Sequence, residues 1–346
     1  MVNQTDIRFM KRCLQLAEKG LGNVSPNPMV GAVIVHENKI IGEGYHKKYG
    51  ESHAEPNAIK SVENKSLLAE STIYVSLEPC NHFGNTPPCA DLILNTKFKR
   101  IVIANTDPNP KVNGSGIHKL KEAGIEITTG VLENEGRILN RRFFKTQIEK
   151  RPYIILKWAQ TINGFIDSLD ISPLQISNNQ NKQLVHNWRA QEDGILIGAQ
   201  TFINDSPSLN TRNVAGKSPT PILLLTKNSE LDYTLWKDKK QFIVIAPEQP
   251  VTLPGNAKWI QLKPSLSASI SELLNYNITS ILVEGGGKTH QSFITENLWD
   301  ETRITKGKIA IESGIKAAKW GLKTPSFEVD QNDNVVDYFF NDGRNQ

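Results

Sequence analysis

Cysteine is scarce in this sequence, and its scarcity excludes one class of protein. Only three cysteines occur among 346 residues, too few for the disulfide framework that holds small secreted domains together. Two of them, Cys80 and Cys89, follow prolines in motifs typical of metal binding, and Cys13 is left single. The expected compartment is therefore a reducing cytoplasm.

Long apolar runs and clusters of one charge are missing as well. The longest apolar runs, such as 222–225, fall far short of the ~18 residues that predict a membrane span. Residues 1–12 are polar and amphipathic and contain no apolar signal region. The net charge of +4 is spread along the chain, whereas nucleic-acid binders concentrate basic residues on one face. We expect neither a membrane nor a nucleic-acid partner.

The length of the chain favours two domains, each long enough to bury its own core. The charged segment 145–152 ends in a proline, and a new apolar run begins at Tyr153. Helix-like and strand-like patterns alternate in the first half, which predicts an α/β/α sandwich around a mixed sheet. Strand-like runs recur in the second half, so the fold class is α/β throughout. We place the domains at residues 1–148 and 149–346.

Three short motifs in the first 110 residues carry the elements of hydrolytic chemistry. His53, Cys80 and Cys89 supply one imidazole and two thiolates, a ligand set that leaves the fourth position of a catalytic zinc ion open. Glu55, two residues after the histidine, supplies a base. Taken alone, the histidine could be a helix-capping residue and each cysteine a buried apolar residue. Their order favours one zinc ion per chain, because it is the pattern of nucleobase deaminases; Cys13 belongs to an apolar helix stripe.

A longer set of motifs resembles the bifunctional deaminase/reductase of riboflavin biosynthesis over nearly the whole chain. In the first half they are Asn-Pro-Met-Val-Gly-Ala-Val at 27–33, Leu-Glu-Pro-Cys-Asn-His-Phe-Gly at 77–84, Thr-Pro-Pro-Cys at 86–89 and Asp-Pro-Asn-Pro at 107–110. In the second half Glu-Gly-Gly-Gly at 284–287 stands in the family's order. The resemblance implies a cytidine-deaminase-like domain followed by a dihydrofolate-reductase-like domain, with zinc and NADPH as cofactors.

The resemblance also implies the two reactions. The family deaminates a ribosylated diaminopyrimidinone 5′-phosphate and then reduces the ribose to ribitol with NADPH. Zinc would activate a water molecule, and Glu55 would carry its proton to the ring and to the departing ammonia. The substrate-pocket positions that the resemblance implies are Asn27, His46, His82, Asp107 and Asn109. One position departs from the family, because Asn85 replaces a lysine or arginine that would contact the substrate phosphate. Another cation must then bind this phosphate, or its binding is weaker.

For the second half, the resemblance assigns catalysis to Lys157 and substrate contacts to Arg189, Leu209, Arg212 and Glu284. The two arginines are candidate phosphate clamps because a guanidinium offers a planar fork of donors. The implied NADPH contacts are Ala159, Gln175, Thr201, Asp205, Gly286, Gly287, Lys288, Thr289, His290, Gln291 and Ser292. A glycine-rich turn between a strand and a helix can bind phosphate through backbone N–H groups, although it also suits a plain turn.

Two other interpretations stay open from the sequence. The first half could deaminate nucleosides or nucleic acid with an accessory C-terminal domain, which assays on free cytidine or single-stranded DNA would reveal. The second half could be a non-catalytic binding or dimerisation domain, which an NADPH titration would reveal. We also expect a homo-oligomer, either a dimer or a tetramer.

Overall fold

A computed structural model describes residues 3–83, 87–110, 112–169, 174–229, 231–322, 324–332 and 334–341. The chain divides into two compact units, Met1–Lys150 and Arg151–Gln346. Asn85, the position that departs from the riboflavin family, lies outside the described residues. Among the described residues, none of the helices has the length and apolar character needed to cross a membrane.

A mixed β-sheet forms the centre of the first unit. Its strands are β1 (Gly31–His36), β2 (Lys39–Tyr45), β3 (Thr72–Leu77), β4 (Arg100–Asn105) and β5 (Glu126–Thr129). They are ordered β2-β1-β3-β4-β5. Strand β1 pairs antiparallel with β2 and β3, whereas β3, β4 and β5 run parallel. Successive side chains of a strand point to opposite faces, so these apolar strands need a cover on each side.

Helices supply that cover. They are α1 (Gln4–Glu18), α2 (Ala54–Ser61), α3 (Cys89–Thr96), α4 (Ser115–Glu122), α5 (Glu133–Leu139) and α6 (Arg141–Glu149). On one face, Ile101 lies in a buried cluster with Ala58 of α2 and Ile93 of α3. On the other face, Val102 lies in a cluster with Met10 of α1. The first unit is therefore a three-layer sandwich.

A second, larger sheet forms the centre of the second unit. The strands of this unit are β6 (Tyr153–Gln160), β7 (Phe165–Asp167), β8 (Gly194–Gly198), β9 (Thr220–Leu224), β10 (Phe242–Ala246), β11 (Ala257–Gln261), β12 (Ser280–Val283), β13 (Glu301–Gly307), β14 (Ile315–Lys316), β15 (Phe327–Gln331) and β16 (Asn334–Phe340). The sheet is ordered β11-β10-β9-β8-β12-β6-β13-β16-β15, and β7 pairs with β14 separately. Strands from β11 to β13 run parallel, and β16 is antiparallel to both of its neighbours.

The helices of the second unit are α7 (Asn179–Gln191), α8 (Ala199–Asp205), α9 (Leu266–Ser271) and α10 (Gly287–Thr295). In open parallel sheets, ligands bind beyond the carboxyl ends of the strands. Glu284 lies directly beyond the carboxyl end of β12, and β12 pairs with β6 so that Val283 is opposite Leu156. The next residues along the two strands, Glu284 and Lys157, are thus neighbours.

The α/β class predicted for both halves is confirmed. The helical spacing of Ile7, Met10, Leu14 and Ala17 predicts a first helix with these residues as one buried stripe; the helix is present, and Met10 and Ala17 are buried as expected. Ile7 and Leu14 are only partly buried, whereas Phe9 and Leu16 belong to the core with Cys13. The reason is that the sheet covers a wider face of α1 than a single line of residues, as is usual for a surface helix. The predicted limits of the two catalytic domains stay a prediction.

Candidate active sites

The zinc-ligand candidates stand at the ends of secondary-structure elements. His53 is the residue before α2 and has an extended backbone, and its side chain makes no capping hydrogen bond to the helix. Cys89 is the first residue of α3, and Cys80 follows the end of β3. Helix N-termini carry partial positive charge, which favours thiolates there. The local structure therefore turns the imidazole and both sulfurs toward one point.

The three ligand atoms form a triangle that fits a tetrahedral zinc ion. The His53 Nδ1 atom lies 3.7 Å from the Cys80 Sγ atom and 3.4 Å from the Cys89 Sγ atom. All three atoms lie within 4.8 Å of one another. Zinc–sulfur and zinc–nitrogen bonds of ordinary length at a tetrahedral angle put sulfur and nitrogen about 3.6 Å apart. The donor set and its spacing thus match zinc.

Ionisation of the two sulfurs is coupled. The hydrogen bond from the Cys89 thiol lowers the pKa of Cys80 to about 4, although burial opposes this, and His53 assists. The same contact, together with burial, raises the pKa of Cys89. Burial also raises the pKa of Glu55, whose side chain is 3% exposed. A dication bound by these sulfurs would favour the thiolate and carboxylate forms of Cys89 and Glu55, which burial otherwise keeps protonated.

A cavity of about 290 Å³ opens at the metal triangle. The predicted deaminase residues come together there, since its lining includes Asn27, His46, His53, Glu55, Cys80, His82, Asp107 and Asn109. Sequence reasoning missed other members of the wall, among them Tyr49 and Phe143. An aromatic residue alone is far more often a core residue than a pocket residue, so the sequence carried no signal for them.

The His46 ring is fixed in one tautomer by its two neighbours. Its Nδ1–H donates to the Ser52 carbonyl oxygen at 3.1 Å. Its Nε2 atom must then accept from the Asn27 side-chain amide at 3.2 Å. Burial lowers the pKa of His46, which agrees with a neutral imidazole. Asn27 is thereby oriented with its amide nitrogen on the histidine and its carbonyl oxygen available as an acceptor.

The segment that carries Asn27 is held from a distant part of the chain. The buried Asn140 side chain accepts from the Met29 N–H and donates to the Met29 carbonyl oxygen, both at 2.8 Å. Two such bonds copy the pairing of a β-strand and satisfy both backbone polar groups of one residue. Asn140 therefore fixes one wall of the cavity.

Glu78 performs the same task for the part of the wall that carries Asp107 and Asn109. Its buried carboxylate accepts backbone N–H bonds from Asp107, Gly114, Gly116 and Ile117 at 2.9 to 3.2 Å. Asp107 in turn accepts from the Asn109 N–H at 2.8 Å, and burial raises the pKa of Asp107 to about 6. Sequence reasoning quoted Glu78 within a motif but gave it no role, because its partners are nearly 30 or more residues away.

A buried ion cluster marks the second unit. Arg189 of α7 donates to both Glu284 oxygens, Nε to Oε1 at 3.0 Å and Nη2 to Oε2 at 2.8 Å. The Lys157 Nζ atom lies 3.9 Å from Glu284 Oε2. Burial alone would raise the pKa of Glu284, but Lys157 and Arg189 outweigh it and lower this pKa to about 2. Burial lowers the pKa of Lys157, so this lysine loses its proton more easily than an exposed lysine does.

The other two predicted substrate residues lie on one loop beside this cluster. Leu209 is buried in an apolar cluster and has a left-handed backbone with φ of 47°. Arg212 Nη1 donates to Ser208 Oγ at 3.0 Å and to Asn210 Oδ1 at 3.1 Å. The Arg189 guanidinium reaches the same loop through the Asn210 carbonyl oxygen at 3.3 Å. The structure thus brings the predicted reductase substrate residues together.

The predicted cofactor residues are brought together only in part. Gly286 is the residue before α10, and its N–H donates to the Thr201 hydroxyl at 3.1 Å. A side chain on Gly285 would lie 2.8 Å from Thr289, so only glycine allows this approach. His290 points into the core and bonds the Val283 carbonyl oxygen at 3.0 Å. Across the described residues, no hydrogen bond joins Gln175 or Asp205 to this turn.

Family comparisons match each unit separately. Residues 3–105 match the model described as the cytidine and deoxycytidylate deaminase zinc-binding region, and residues 152–310 match the RibD C-terminal domain. The first range contains the metal triangle and Glu55, and the second contains Lys157, Arg189 and Glu284. The metal ligands, Glu55 and the reductase ion cluster therefore fall inside matched ranges, whereas Asp107 and Asn109 lie just beyond the first range.

Whole-chain relatives have the same two parts in the same order. The riboflavin biosynthesis protein RibD of Aquifex aeolicus is 38% identical over 336 residues, which is 94% of this chain and 93% of that protein. The structure of Acinetobacter baumannii RibD, form 2, superposes with a TM-score of 0.89 at 29% identity, covering 97% of this chain and 99% of that one. A Thermotoga maritima diaminohydroxyphosphoribosylaminopyrimidine deaminase/5-amino-6-(5-phosphoribosylamino)uracil reductase gives 0.86 at 32% identity, covering 96% and 98%.

Proposed function

The chain belongs to the RibD family of riboflavin biosynthesis proteins and is a bifunctional deaminase and reductase; from this premise we propose which residues carry each reaction. The first unit deaminates the pyrimidine ring of a ribosylated diaminopyrimidinone 5′-phosphate. The second unit then reduces its ribosyl group to ribityl with NADPH. The observation that carries the proposal is the metal triangle of His53, Cys80 and Cys89 beside the buried Glu55.

In the deaminase site, Glu55 moves the protons. Zinc, when bound by His53, Cys80 and Cys89, supplies Lewis-acid activation of the attacking water. The Glu55 carboxylate takes one proton from this water and delivers it to the ring nitrogen; it then takes the proton of the added hydroxyl group and delivers it to the amino group, which leaves as ammonia. Because burial raises the pKa of Glu55, the carboxyl group can hold a proton between these two transfers.

The walls of the cavity hold the substrate for this step. His46 fixes the Asn27 amide, so the Asn27 carbonyl oxygen accepts a hydrogen bond from the pyrimidine ring. Asp107 and Asn109 bind the substrate from the part of the wall that Glu78 anchors. His82 lines the mouth of the cavity and contacts the ribose phosphate portion. The polar groups are placed before the substrate arrives, which is what a precise orientation requires.

In the reductase site, Lys157 is the proton donor. Converting a ribosyl to a ribityl group adds a hydride to the C1′ carbon and a proton to the former ring oxygen. Lys157 is buried and its pKa is lowered by that burial, so its ammonium gives up a proton readily. Glu284 holds the ammonium in place, and Arg189 with Arg212 binds the substrate. Thr201 and the turn at Gly286 bind NADPH phosphate, after the Gly286 N–H is released to the ligand.

We expect one zinc ion per chain, held without Cys13. Replacing Cys13 with alanine should leave the zinc content at about one per chain, because its Sγ atom is buried on the far side of the sheet and bonds to the Tyr74 carbonyl oxygen. Replacing Cys80 and Cys89 together with serine should remove the zinc. Elemental analysis of the intact proteins checks both results. Loss of zinc in the Cys13 variant, or full zinc content in the double variant, contradicts the assignment.

Glu78→Gln should weaken deaminase substrate binding and spare the zinc. A glutamine amide replaces one accepting oxygen with a donor that faces backbone N–H groups, which costs about 1–3 kcal/mol per unmade buried bond. We expect a KM for the deaminase substrate raised about ten-fold or more and a lower melting temperature. Ammonia release gives the KM, and NADPH oxidation with the deaminated intermediate is the internal control. An unchanged KM would show that Glu78 is not needed to hold Asp107 and Asn109 in position for the substrate.

We further propose that the chain is a cytoplasmic homo-oligomer, either a dimer or a tetramer. Sedimentation equilibrium of the zinc-loaded protein measures the assembly directly. A monomer at micromolar concentration would rule out the oligomer.

A further inference from the structure

Three cationic side chains meet on one short segment of the second unit, residues 208–210. Arg189 Nη1 donates to the Asn210 carbonyl oxygen at 3.3 Å. Arg212 Nη1 donates to Ser208 Oγ at 3.0 Å and to Asn210 Oδ1 at 3.1 Å. The third cation, Lys239, donates from Nζ to the Ser208 carbonyl oxygen. No sequence motif or resemblance pointed to this lysine, which lies in the loop before β10.

Both backbone polar groups of Lys239 are hydrogen-bonded. Its backbone N–H donates to the Trp236 carbonyl oxygen at 3.0 Å, and its own carbonyl oxygen accepts from the Asn256 amide at 2.8 Å. The same amide bonds the carbonyl oxygens of Trp236 and Lys237. The Trp236 indole N–H donates to the Pro207 carbonyl oxygen at 3.1 Å, which ties this turn to the substrate loop. These bonds fix the backbone of Lys239, and the bond from its Nζ to the Ser208 carbonyl oxygen holds the ammonium against the substrate loop, unlike that of an ordinary surface lysine.

The charge of this region is unbalanced. Glu284 is already engaged by Arg189 and Lys157. In the described part of the chain, neither Arg212 nor Lys239 forms an ion pair with a carboxylate. Burial and then the positive charge of Arg189 lower the pKa of Lys239, so the lysine and the arginine interact unfavourably when the site is empty of anions. A dianion placed among Arg189, Arg212 and Lys239 would remove that repulsion.

We propose that Lys239 is a phosphate-binding residue of the reductase site and makes the reduction selective for a substrate that carries a phosphate monoester. The inference rests on the proposed function, because it names the group that binds the phosphate of that substrate. Arg189, Arg212 and Lys239 hold three cationic groups against residues 208–210, and these groups can each bind an oxygen of a phosphate monoester. Lys157 and Glu284 do not bind the phosphate in this arrangement, so they are available at the end of the sugar where the hydride and the proton are added.

The test compares Lys239→Met with the matched control Lys240→Met in the full chain with zinc and NADPH. Lys240 is the exposed neighbour of Lys239, and methionine keeps most of the side-chain length while removing the charge. NADPH oxidation is followed with the deaminated intermediate and with the same compound lacking its 5′-phosphate. Losing one charge-assisted hydrogen bond to phosphate predicts a KM for the phosphorylated compound raised roughly ten-fold or more. The rate constant kcat/KM for the unphosphorylated compound should stay unchanged, and Lys239→Arg should recover part of the loss.

A purely structural role for Lys239 would lower kcat/KM for both compounds by the same factor, and that result would overturn the proposal. An unchanged KM for the phosphorylated compound would overturn it as well. Calorimetric titration with ribose 5-phosphate tests the phosphate site without the reductase reaction, so it distinguishes an error in the role of Lys239 from an error in the proposed function. If the unmutated protein reduces neither compound, weaker ribose 5-phosphate binding by Lys239→Met than by Lys240→Met still supports a phosphate site. Equal binding by the two variants overturns it.

Discussion

Glu55→Gln should lower the rate of ammonia release at least 100-fold and leave both zinc content and the reductase reaction intact. Glu55 lies in the first turn of α2, two residues from the ligand His53, and its carboxyl group is buried. Glutamine has nearly the same shape but cannot take up or release a proton. General acid–base catalysis contributes roughly 10²–10⁴-fold to a rate, and the expected loss is of that size.

The control for this variant is the second reaction. The same protein should oxidise NADPH at an unchanged rate when it is given the deaminated intermediate, since Lys157 and Glu284 belong to the other unit. Elemental analysis should still find about one zinc per chain. If Glu55→Gln also stopped reduction of the deaminated intermediate in a folded protein, one shared site would have to replace the two-site interpretation.

Lys157→Ala should have the converse effect, with ribose reduction reduced at least 100-fold and ammonia release unchanged. The substitution removes the only proton donor assigned to the ring oxygen, and general acid catalysis of this kind is worth roughly 10²–10⁴-fold. Glu284 keeps Arg189 as its partner, through bonds of 2.8 and 3.0 Å. The buried carboxylate is therefore not left unpaired, and the fold should survive.

Two measurements make the Lys157 result specific. NADPH binding, followed by fluorescence titration, should be nearly unchanged, because the lysine acts on the sugar and not on the cofactor phosphates. Lys157→Arg keeps the charge, but arginine holds its proton far more tightly. This variant should therefore bind the intermediate but reduce it much more slowly than the unmutated protein. A Lys157→Arg variant with full activity would show that Lys157 acts through its charge alone.

The metal triangle could be predicted from sequence because each ligand sits in a local context that the sequence reveals. His53 directly precedes a helix, and Cys89 begins one after Pro88. Local start signals of this kind depend on a few adjacent residues. The runs 194–198, 242–246 and 280–283, which form β8, β10 and β12, also stand out in the sequence, because each is short, apolar and bounded by polar segments.

The walls of the sites could not be predicted in this way, because their partners are remote in the sequence. Glu78 bonds a loop that begins 29 residues later, and Asn140 bonds Met29 across 111 residues. No periodicity links such pairs, and a single buried carboxylate or amide looks like any polar residue of a loop. Lys239 was missed for a related reason, since a single lysine before a strand is most often a solvated surface charge. Only the fold reveals that its ammonium lies on the substrate loop.

The Asn140 contact also sets an order of events during synthesis of the protein. All three metal ligands have left the peptidyl-transferase centre once Cys89 is made, whereas Asn140 and Phe143, which complete the cavity, follow about 50 residues later. At translation rates of about 5–20 residues per second this delay amounts to roughly 3 to 10 seconds. A chain interrupted before residue 140 would therefore keep all three metal ligands but would lack Asn140 and Phe143, which fix and line the wall of the cavity.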